Sequence, residues 1–173
     1  MFFCLRNTLE LDAARPVSDM AAFFGYQPAP SAALKLTLAR EHGCVNACLQ
    51  GAEQSFTASE PCSEAAVSGE VTRCVKLVVL KVFAELTGLQ PKLPWGILTG
   101  VRPTKLAHKL LDSGVAAAAL PEYLSENYLL PMAQGKLLKD IALKQKHILS
   151  DSMRLTDTGI YIGVPYCPSR CSY

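Results

Sequence analysis

LKLTLAREHGCVNACLQ, residues 34–50, decides the fold of the first half of the chain. Leucines at positions 34, 36 and 38 alternate with Lys35, Thr37 and Ala39, and this period of two is typical of a half-buried strand. EHG then makes a tight turn, and CVNACLQ returns as the second strand. The segment therefore predicts a β-hairpin.

The residues before the hairpin predict one more strand and a short helix. MFFCLRN (1–7) has the composition of a strand, and VSDMAAFFGY (17–26) follows Pro16 as a helix that Gly25 ends. QPAP (27–30) is predicted to be a turn.

A long helix is predicted after the hairpin, from about Pro61 to Leu86. Ser59 or Glu60 is a suitable N-cap, Pro61 fits the first turn, and Gly88 ends the helix. Its apolar face is predicted to consist of Val67, Val71, Cys74, Val75, Val78 and Val82. The order of elements indicates an α+β unit over residues 1–90, a small sheet with helices on one face.

The second half is predicted to be helical. Pro91 and Pro94 mark a boundary, and three helices follow, each beginning at or next to a proline: PTKLAHKLLD, PEYLSENYL and PMAQGKLLKDIALKQKHIL. One side of the third is expected to be apolar, namely Leu138, Ile141, Ala142, Ile148 and Leu149. TDTG then forms a turn before the strand-like run IYIGV. We therefore expect a helical linker over 91–155 and the start of a further domain over 156–173.

Charge and hydropathy exclude some functions. The net charge is only +2, and residues 1–90 carry 7 basic against 9 acidic side chains, so a nucleic-acid partner is disfavoured. Residues 91–173 carry 10 against 6, with a lysine run that fits a solvated helix face: Lys136, Lys139, Lys144 and Lys146. The mean hydropathy of +0.19 indicates that part of the apolar surface packs against something outside this chain.

The sequence predicts a cytoplasmic protein with no membrane segment. The apolar N-terminus gives way to Arg6 after five residues and lacks the features of a signal peptide. CVKLVVLKVF is interrupted by Lys76 and Lys81 and is too short to span a bilayer. In a reducing compartment the seven cysteines are expected to be thiols, ligands or core residues rather than disulfides.

The segment YIGVPYCPSRCSY (161–173) carries the main chemical signal. Pro165 and Pro168 prevent a regular helix or strand through Cys167 and Cys171, so the chain must loop and both sulfurs can face one centre. Thiolates suit zinc or an iron–sulfur cluster, although two alone do not complete either site. A redox-active dithiol is a further possibility.

CVNAC (44–48) has the same spacing and provides a contrast. On a strand, its two cysteines would lie roughly 13 Å apart, at about 3.3 Å per residue, and could not bind one metal ion. We expect them to be small side chains in or near the core.

Together, YIGVPYCPSRCSY and WGILTGVRPTKLAHKLLDSG resemble the radical S-adenosylmethionine (SAM) superfamily, and specifically the HemZ-type branch of the oxygen-independent coproporphyrinogen III oxidases. Cys167 and Cys171 match the first two cysteines of CxxxCxxC, and Tyr173 matches the aromatic residue before the third. The third cysteine would follow Tyr173 directly, and IYIGV would be the first strand of a missing α/β barrel.

This resemblance implies a chemistry. Cys167, Cys171 and the third cysteine would bind a [4Fe–4S] cluster, SAM would bind the remaining iron, and an electron donor would supply the electron for SAM cleavage. Tyr161 would contact SAM, and Tyr173 would lie against its adenosine. The tetrapyrrole substrate, coproporphyrinogen III, would be oxidatively decarboxylated from propionate to vinyl. Without its barrel the chain would be inactive.

Three other functional hypotheses follow from the sequence. Gly163 stands where the well-studied oxidases have a histidine, so a haem carrier without oxidase activity is an alternative. Residues 1–90 could be a separate binding module. Arg102 and Lys105, in TGVRPTK at a helix start, could bind a substrate carboxylate or, more simply, pair with acids of the barrel.

Overall fold

The computed structural model describes residues 1–99, 102–148, 158 and 160–163, and its α+β architecture confirms the predicted fold class. The first half contains β1 (Phe2–Asn7), α1 (Ala14–Ala22), β2 (Gln27–Pro28), β3 (Leu34–Glu41), β4 (Cys44–Gln50), β5 (Ser55–Pro61) and α2 (Ser68–Thr87). The second half contains α3 (Pro103–Asp112), α4 (Leu120–Tyr128) and α5 (Met132–Ile148). In the part of the chain described, no helix has the length and apolar character needed to cross a membrane.

The hairpin predicted from residues 34–50 is confirmed. β3 and β4 pair antiparallel, with Leu38 opposite Ala47. His42 and Gly43 make the turn with φ values of 53° and 71°, and two positive values suit the tight turns that match strand twist. The sheet order is β2-β1-β3-β4-β5, in which β1 runs parallel to both of its neighbours.

One face of the sheet and both helices of the first half share a core, as predicted. Its centre is Phe83 of α2, whose ring centroid lies 5.4 Å from that of Phe3, 5.9 Å from that of Phe24 and 5.1 Å from that of Tyr26. The buried strand residues beneath the helices are Leu36, Leu38, Val45, Ala47 and Leu49. Burying this apolar surface is the main force that holds α1 and α2 on the sheet.

The prediction of a helix from Pro61 is wrong, because Ser55–Pro61 forms the edge strand β5, paired with β4. Ser59 and Glu60, expected at the N-cap, lie in this strand. Alternate side chains from Phe56 onward turn toward the core while their neighbours are exposed. A proline is tolerated at the sheet edge, where its missing N–H leaves no ladder bond unmade.

Other element boundaries also differ from the sequence expectations. The helix α2 begins at Ser68, and Val67, expected on its buried face, is the N-cap and 63% exposed. Gly88 ends α2 in the left-handed conformation, as predicted. Residues 27–30, predicted to be a turn, begin with the short strand β2, and α1 begins before Pro16, which its first turn tolerates.

The three predicted helices of the second half are confirmed. They surround a second apolar cluster, whose buried members are Leu98, Ala107, Leu120, Leu124, Leu130, Leu138 and Ala142. Ile148, expected on the buried side, is 65% exposed, and Leu149 lies outside the described residues. Of the predicted strand IYIGV, residues 160–163 are described and are not in a strand; the preceding TDTG lies mostly outside the description. The domain limits at 90 and 155 stay predictions.

A test of the α4–α5 contact uses Gly135. A Cβ added there would lie 3.0 Å from the Cα of Pro121 and 3.2 Å from its carbonyl oxygen, so the two helix backbones would have to separate. We expect Gly135→Ala to lower the free energy of unfolding by about 1–3 kcal/mol, measured by urea denaturation. The matched change Gly69→Ala, in α2 with nothing within 4 Å, should instead raise it by up to about 1 kcal/mol. If Gly135→Ala and Gly69→Ala raised the free energy of unfolding equally, the close approach of α5 to Pro121 of α4 would be contradicted.

Candidate functional site

The residues predicted to hold the cofactors are only partly described. Cys167, Cys171 and Tyr173 lie outside the described residues, so their roles stay predictions. Tyr161 is 94% exposed. A Cβ on Gly163 would lie 3.0 Å from Cε1 of the Tyr161 ring, so this ring occupies space that a side chain at 163 would need. Within residues 1–99, 102–148, 158 and 160–163, no three His, Cys, Asp or Glu side chains are grouped as metal ligands.

Arg102 and Lys105 lie together at the beginning of α3. Arg102 is the N-cap, and its carbonyl oxygen accepts the N–H of Lys105 at 3.0 Å. Pro103 occupies the first turn, and both cationic side chains are exposed. Because the first backbone N–H groups of a helix carry partial positive charge, the two cations add to a potential that favours an anion.

An apolar cavity of about 570 Å³ lies beside this helix start. Its walls come from three separate segments of the chain: Phe23, which directly follows α1; Trp95, Leu98, Thr99 and Thr104 of the loop and α3; and Leu138 and Ile141 of α5. We call it the Trp95 cavity. The aromatic side chains of Phe23 and Trp95 are 38% and 41% exposed. The sequence analysis missed this cavity because its walls are far apart along the chain.

The buried Lys76 of α2 fixes Thr99, one of the cavity residues. Lys76 Nζ donates to the carbonyl oxygens of Ile97 and Thr99, each at 3.0 Å, and to Thr99 Oγ1 at 2.8 Å. Thr99 Oγ1 in turn donates to Asp19 Oδ2 of α1 at 2.8 Å. Burial lowers the pKa of Lys76, and the Asp19 carboxylate opposes that shift. These contacts, which the sequence analysis also missed, connect the loop to α1 and α2.

The same loop is fixed to the end of α4. The N–H of Ile97 donates to the carbonyl oxygen of Tyr128 at 2.9 Å. Gly96 has a φ of +55°, and a Cβ there would overlap the Tyr128 carbonyl oxygen and lie 2.8 Å from the carbonyl carbon of Leu129. The loop over residues 95–99 is therefore held from both sides, by Lys76 and by the backbone after α4.

A curated protein of Bacillus subtilis (strain 168), the oxygen-independent coproporphyrinogen-III oxidase-like protein HemZ, is 34% identical to this chain over 174 residues. The similarity covers 92% of this chain and 34% of the relative, so the chain spans about a third of the relative's length. This chain is related to the HemZ-type proteins. The resemblance to HemZ-type proteins drawn from WGILTGVRPTK and YIGVPYC is thereby confirmed. No family model matches the chain, and no solved structure matches it.

The relation to HemZ extends beyond the segments that first indicated it. The sequence resemblance was carried by residues 94–173, whereas a match over 92% of the chain must also include most of residues 1–90. The sheet, α1 and α2 therefore belong largely to the region shared with HemZ. Asp19 lies on α1 and Lys76 on α2, and both contact Thr99 of the Trp95 cavity, while Phe23, another residue of its wall, directly follows α1.

The second CxxxC pair of this chain, predicted to lie in or near the core, is on the outer face of the sheet. Cys44 and Cys48 lie on β4, as expected, but on the sheet face opposite to the helices, where both are half-buried. Cys48 Sγ lies 3.5 Å from Ser55 Oγ. They are therefore outside the core, whereas Cys62 and Cys74 are buried in it.

The raised pKa of the buried Cys74 thiol predicts that the protein loses stability at high pH. Burial, opposed by Arg73 and reinforced by Cys62 and Glu60, raises the pKa of Cys74 from 9.0 to about 12. Between these values the unfolded chain releases the proton and the folded chain retains it, so stability falls as pH rises above 9. The free energy of unfolding of Cys74→Val and of the unmodified chain is measured by denaturation from pH 8 to 10.5. The free energy of the variant should fall less steeply, by up to about 1.4 kcal/mol per pH unit. Parallel pH profiles would contradict this.

Proposed function

We propose that this chain is the N-terminal portion of a radical SAM oxidoreductase that acts on coproporphyrinogen III in porphyrin synthesis. The observation that carries the proposal is the combination of 34% identity to HemZ with the sequence YIGVPYCPSRC in the same chain. Because the chain spans about a third of that relative, the activity is assigned to a protein of the relative's length, and this chain alone is inactive.

Each terminal residue has a proposed role. Cys167 and Cys171 provide two thiolates for a [4Fe–4S] cluster, which is consistent with the softness of this ligand type, and a third thiolate comes from the longer protein. Tyr161 and Tyr173 bind SAM. The cluster and SAM would supply the radical that removes a hydrogen atom from a propionate side chain; loss of carbon dioxide, which leaves the vinyl group, would also release one electron to an external one-electron acceptor.

Gly163 supports a second candidate, a haem-binding relative without oxidase activity. It stands where the oxidases have a histidine, and it provides no side-chain hydrogen bond to SAM or to the cluster. Carrier and oxidase differ in one measurable respect, the decarboxylation of coproporphyrinogen III.

The experiment is anaerobic reconstitution of a protein extended to the length of HemZ. We expect a brown protein that binds about four irons per chain and that forms 5′-deoxyadenosine from SAM when it is reduced. Vinyl products from coproporphyrinogen III would support the oxidase, and SAM cleavage or haem binding without them would support the carrier. A colourless protein would count against the oxidase, and a protein that also fails to bind added haem would count against the carrier.

The two CxxxC pairs provide a matched control for the same experiment. Cys167→Ser and Cys171→Ser should reduce bound iron to background, since each removes a proposed cluster ligand. Cys44→Ser and Cys48→Ser change the same residue types at the same spacing on β4 and should leave iron content unchanged. Iron loss in both pairs would indicate misfolding rather than ligation.

A further inference from the structure

We propose that the Trp95 cavity is a binding site for a tetrapyrrole that carries acidic side chains. The inference rests on the proposed function for the identity of this ligand. It goes beyond that function by assigning substrate contact to residues of the described part of the chain. One apolar edge of the macrocycle enters the cavity, and its carboxylates lie at the beginning of α3.

The size and composition of the cavity suit such a ligand. Small-molecule sites commonly have volumes of about 300–1,000 Å³, with mostly apolar and aromatic walls and few polar groups. The Trp95 cavity measures about 570 Å³ and is lined mainly by aromatic, aliphatic and proline side chains. Phe23 and Trp95, each more than a third exposed, present flat rings against which a flat macrocycle can stack.

The surrounding charge favours an anionic ligand. Residues 91–111 contain four basic side chains and no acidic one: Lys92, Arg102, Lys105 and Lys109. Asp19, which accepts a hydrogen bond from Thr99 at 2.8 Å, is opposed by the buried ammonium group of Lys76, and Asp140, next to Ile141, pairs with Lys139 at 3.4 Å. The charge beside the cavity is therefore complementary to the propionates of coproporphyrinogen III.

The loop that carries Trp95 is fixed before any ligand arrives. Lys76 holds the backbone at Ile97 and Thr99, and the close approach at Gly96 fixes the same loop against the end of α4. A site whose walls are already ordered loses less conformational entropy on binding than a flexible one. This rigidity distinguishes the cavity from a surface depression between mobile loops.

Trp95 provides a direct test, because it is the single tryptophan among the 173 residues. Its fluorescence is measured in this chain while coproporphyrinogen III, kept reduced under anaerobic conditions, is added. We expect saturable quenching, with N-acetyltryptophanamide as the control for optical artefacts. Arg102→Glu combined with Lys105→Glu should weaken the apparent affinity at least about tenfold. Both residues are exposed, so the fold is expected to survive, as circular dichroism would verify.

A charge-matched control separates local from general electrostatics. The control variant combines Arg6→Glu with Lys35→Glu, which reverses the same amount of charge at exposed positions of β1 and β3. Because distant charges are screened, this variant should change the affinity less than about twofold. Unsaturable quenching, or equal weakening by both double variants, would overturn the proposal. So would a HemZ-length protein whose Trp95 no longer responds, since the cavity would then be covered by the rest of the chain. Failure of cluster assembly would refute the proposed enzyme without altering this titration.

Discussion

Gly96→Ala is expected to lower the free energy of unfolding by about 3–5 kcal/mol, the sum of a left-handed backbone penalty and a steric clash with another backbone. Gly96 has a φ of +55°, a conformation that alanine adopts only at a cost. Its new Cβ would also overlap the carbonyl oxygen of Tyr128, which is already held by the N–H of Ile97 at 2.9 Å. Neither backbone can move without breaking that hydrogen bond. Urea denaturation measures the loss.

Gly88→Ala is the matched control for this variant. Gly88 has a similar φ of +66°, but a Cβ there would meet nothing within 4 Å. Its substitution should therefore show the conformational penalty alone, about 1–2 kcal/mol. The difference between the two variants measures the clash with the backbone after α4. Equal losses would mean that the loop over residues 95–99 is not fixed against α4 in solution.

Local signals explain which elements could be predicted from the sequence. The hairpin of β3 and β4 was predictable because alternation and the His42–Gly43 turn act over neighbouring residues. The same holds for α3, where Pro103 begins the helix and Gly114, with a φ of 99°, follows its end. In both cases the residues that determine the element lie within or directly beside it in the sequence.

The strand β5 shows where local signals mislead. Ser59, Glu60 and Pro61 resemble a helix start, and in isolation that interpretation is sound. In the structure these residues instead pair with β4. Gln50 lies opposite Ser55, and the strand pairing continues from there to Pro61. The backbone hydrogen bonds of a sheet edge depend on a neighbour that the local pattern does not reveal.

In the candidate site, too, only the features encoded by neighbouring residues could be predicted from the sequence. The CPSRC pair was recognisable because its proline context and its resemblance are both local features of the sequence. The Trp95 cavity was not, since Phe23, Trp95 and Ile141 meet only through the packing of α1, the loop and α5. In the sequence, Lys76 is only an interruption of an apolar run. Its function depends on the carbonyl oxygens of Ile97 and Thr99, which the fold brings beside its ammonium group.

Lys76→Met is expected to lower the free energy of unfolding by about 3 kcal/mol, since hydrogen bonds to a charged group contribute about 1.5–3 kcal/mol each and are not additive. Methionine preserves most of the side-chain volume, so the loss reports the missing ammonium group. The variant leaves the carbonyl oxygens of Ile97 and Thr99 without their buried donor. It also removes the buried ammonium group that faces the Asp19 carboxylate, which accepts from Thr99 at 2.8 Å.

The control for this variant is Lys81→Met, on the same helix. Lys81 Nζ contacts Glu60 at 2.8 Å, but its side chain is 51% exposed, and exposed ion pairs contribute at most about 1 kcal/mol. A second readout separates loss of the loop contact from general destabilisation. Without Lys76 the loop should loosen and the emission of Trp95 should shift to longer wavelength in the folded state, whereas Lys81→Met should leave it unchanged. If the two variants lose equal stability and neither shifts the emission, Lys76 does not hold the loop, and the preformed cavity that depends on it is ruled out as well.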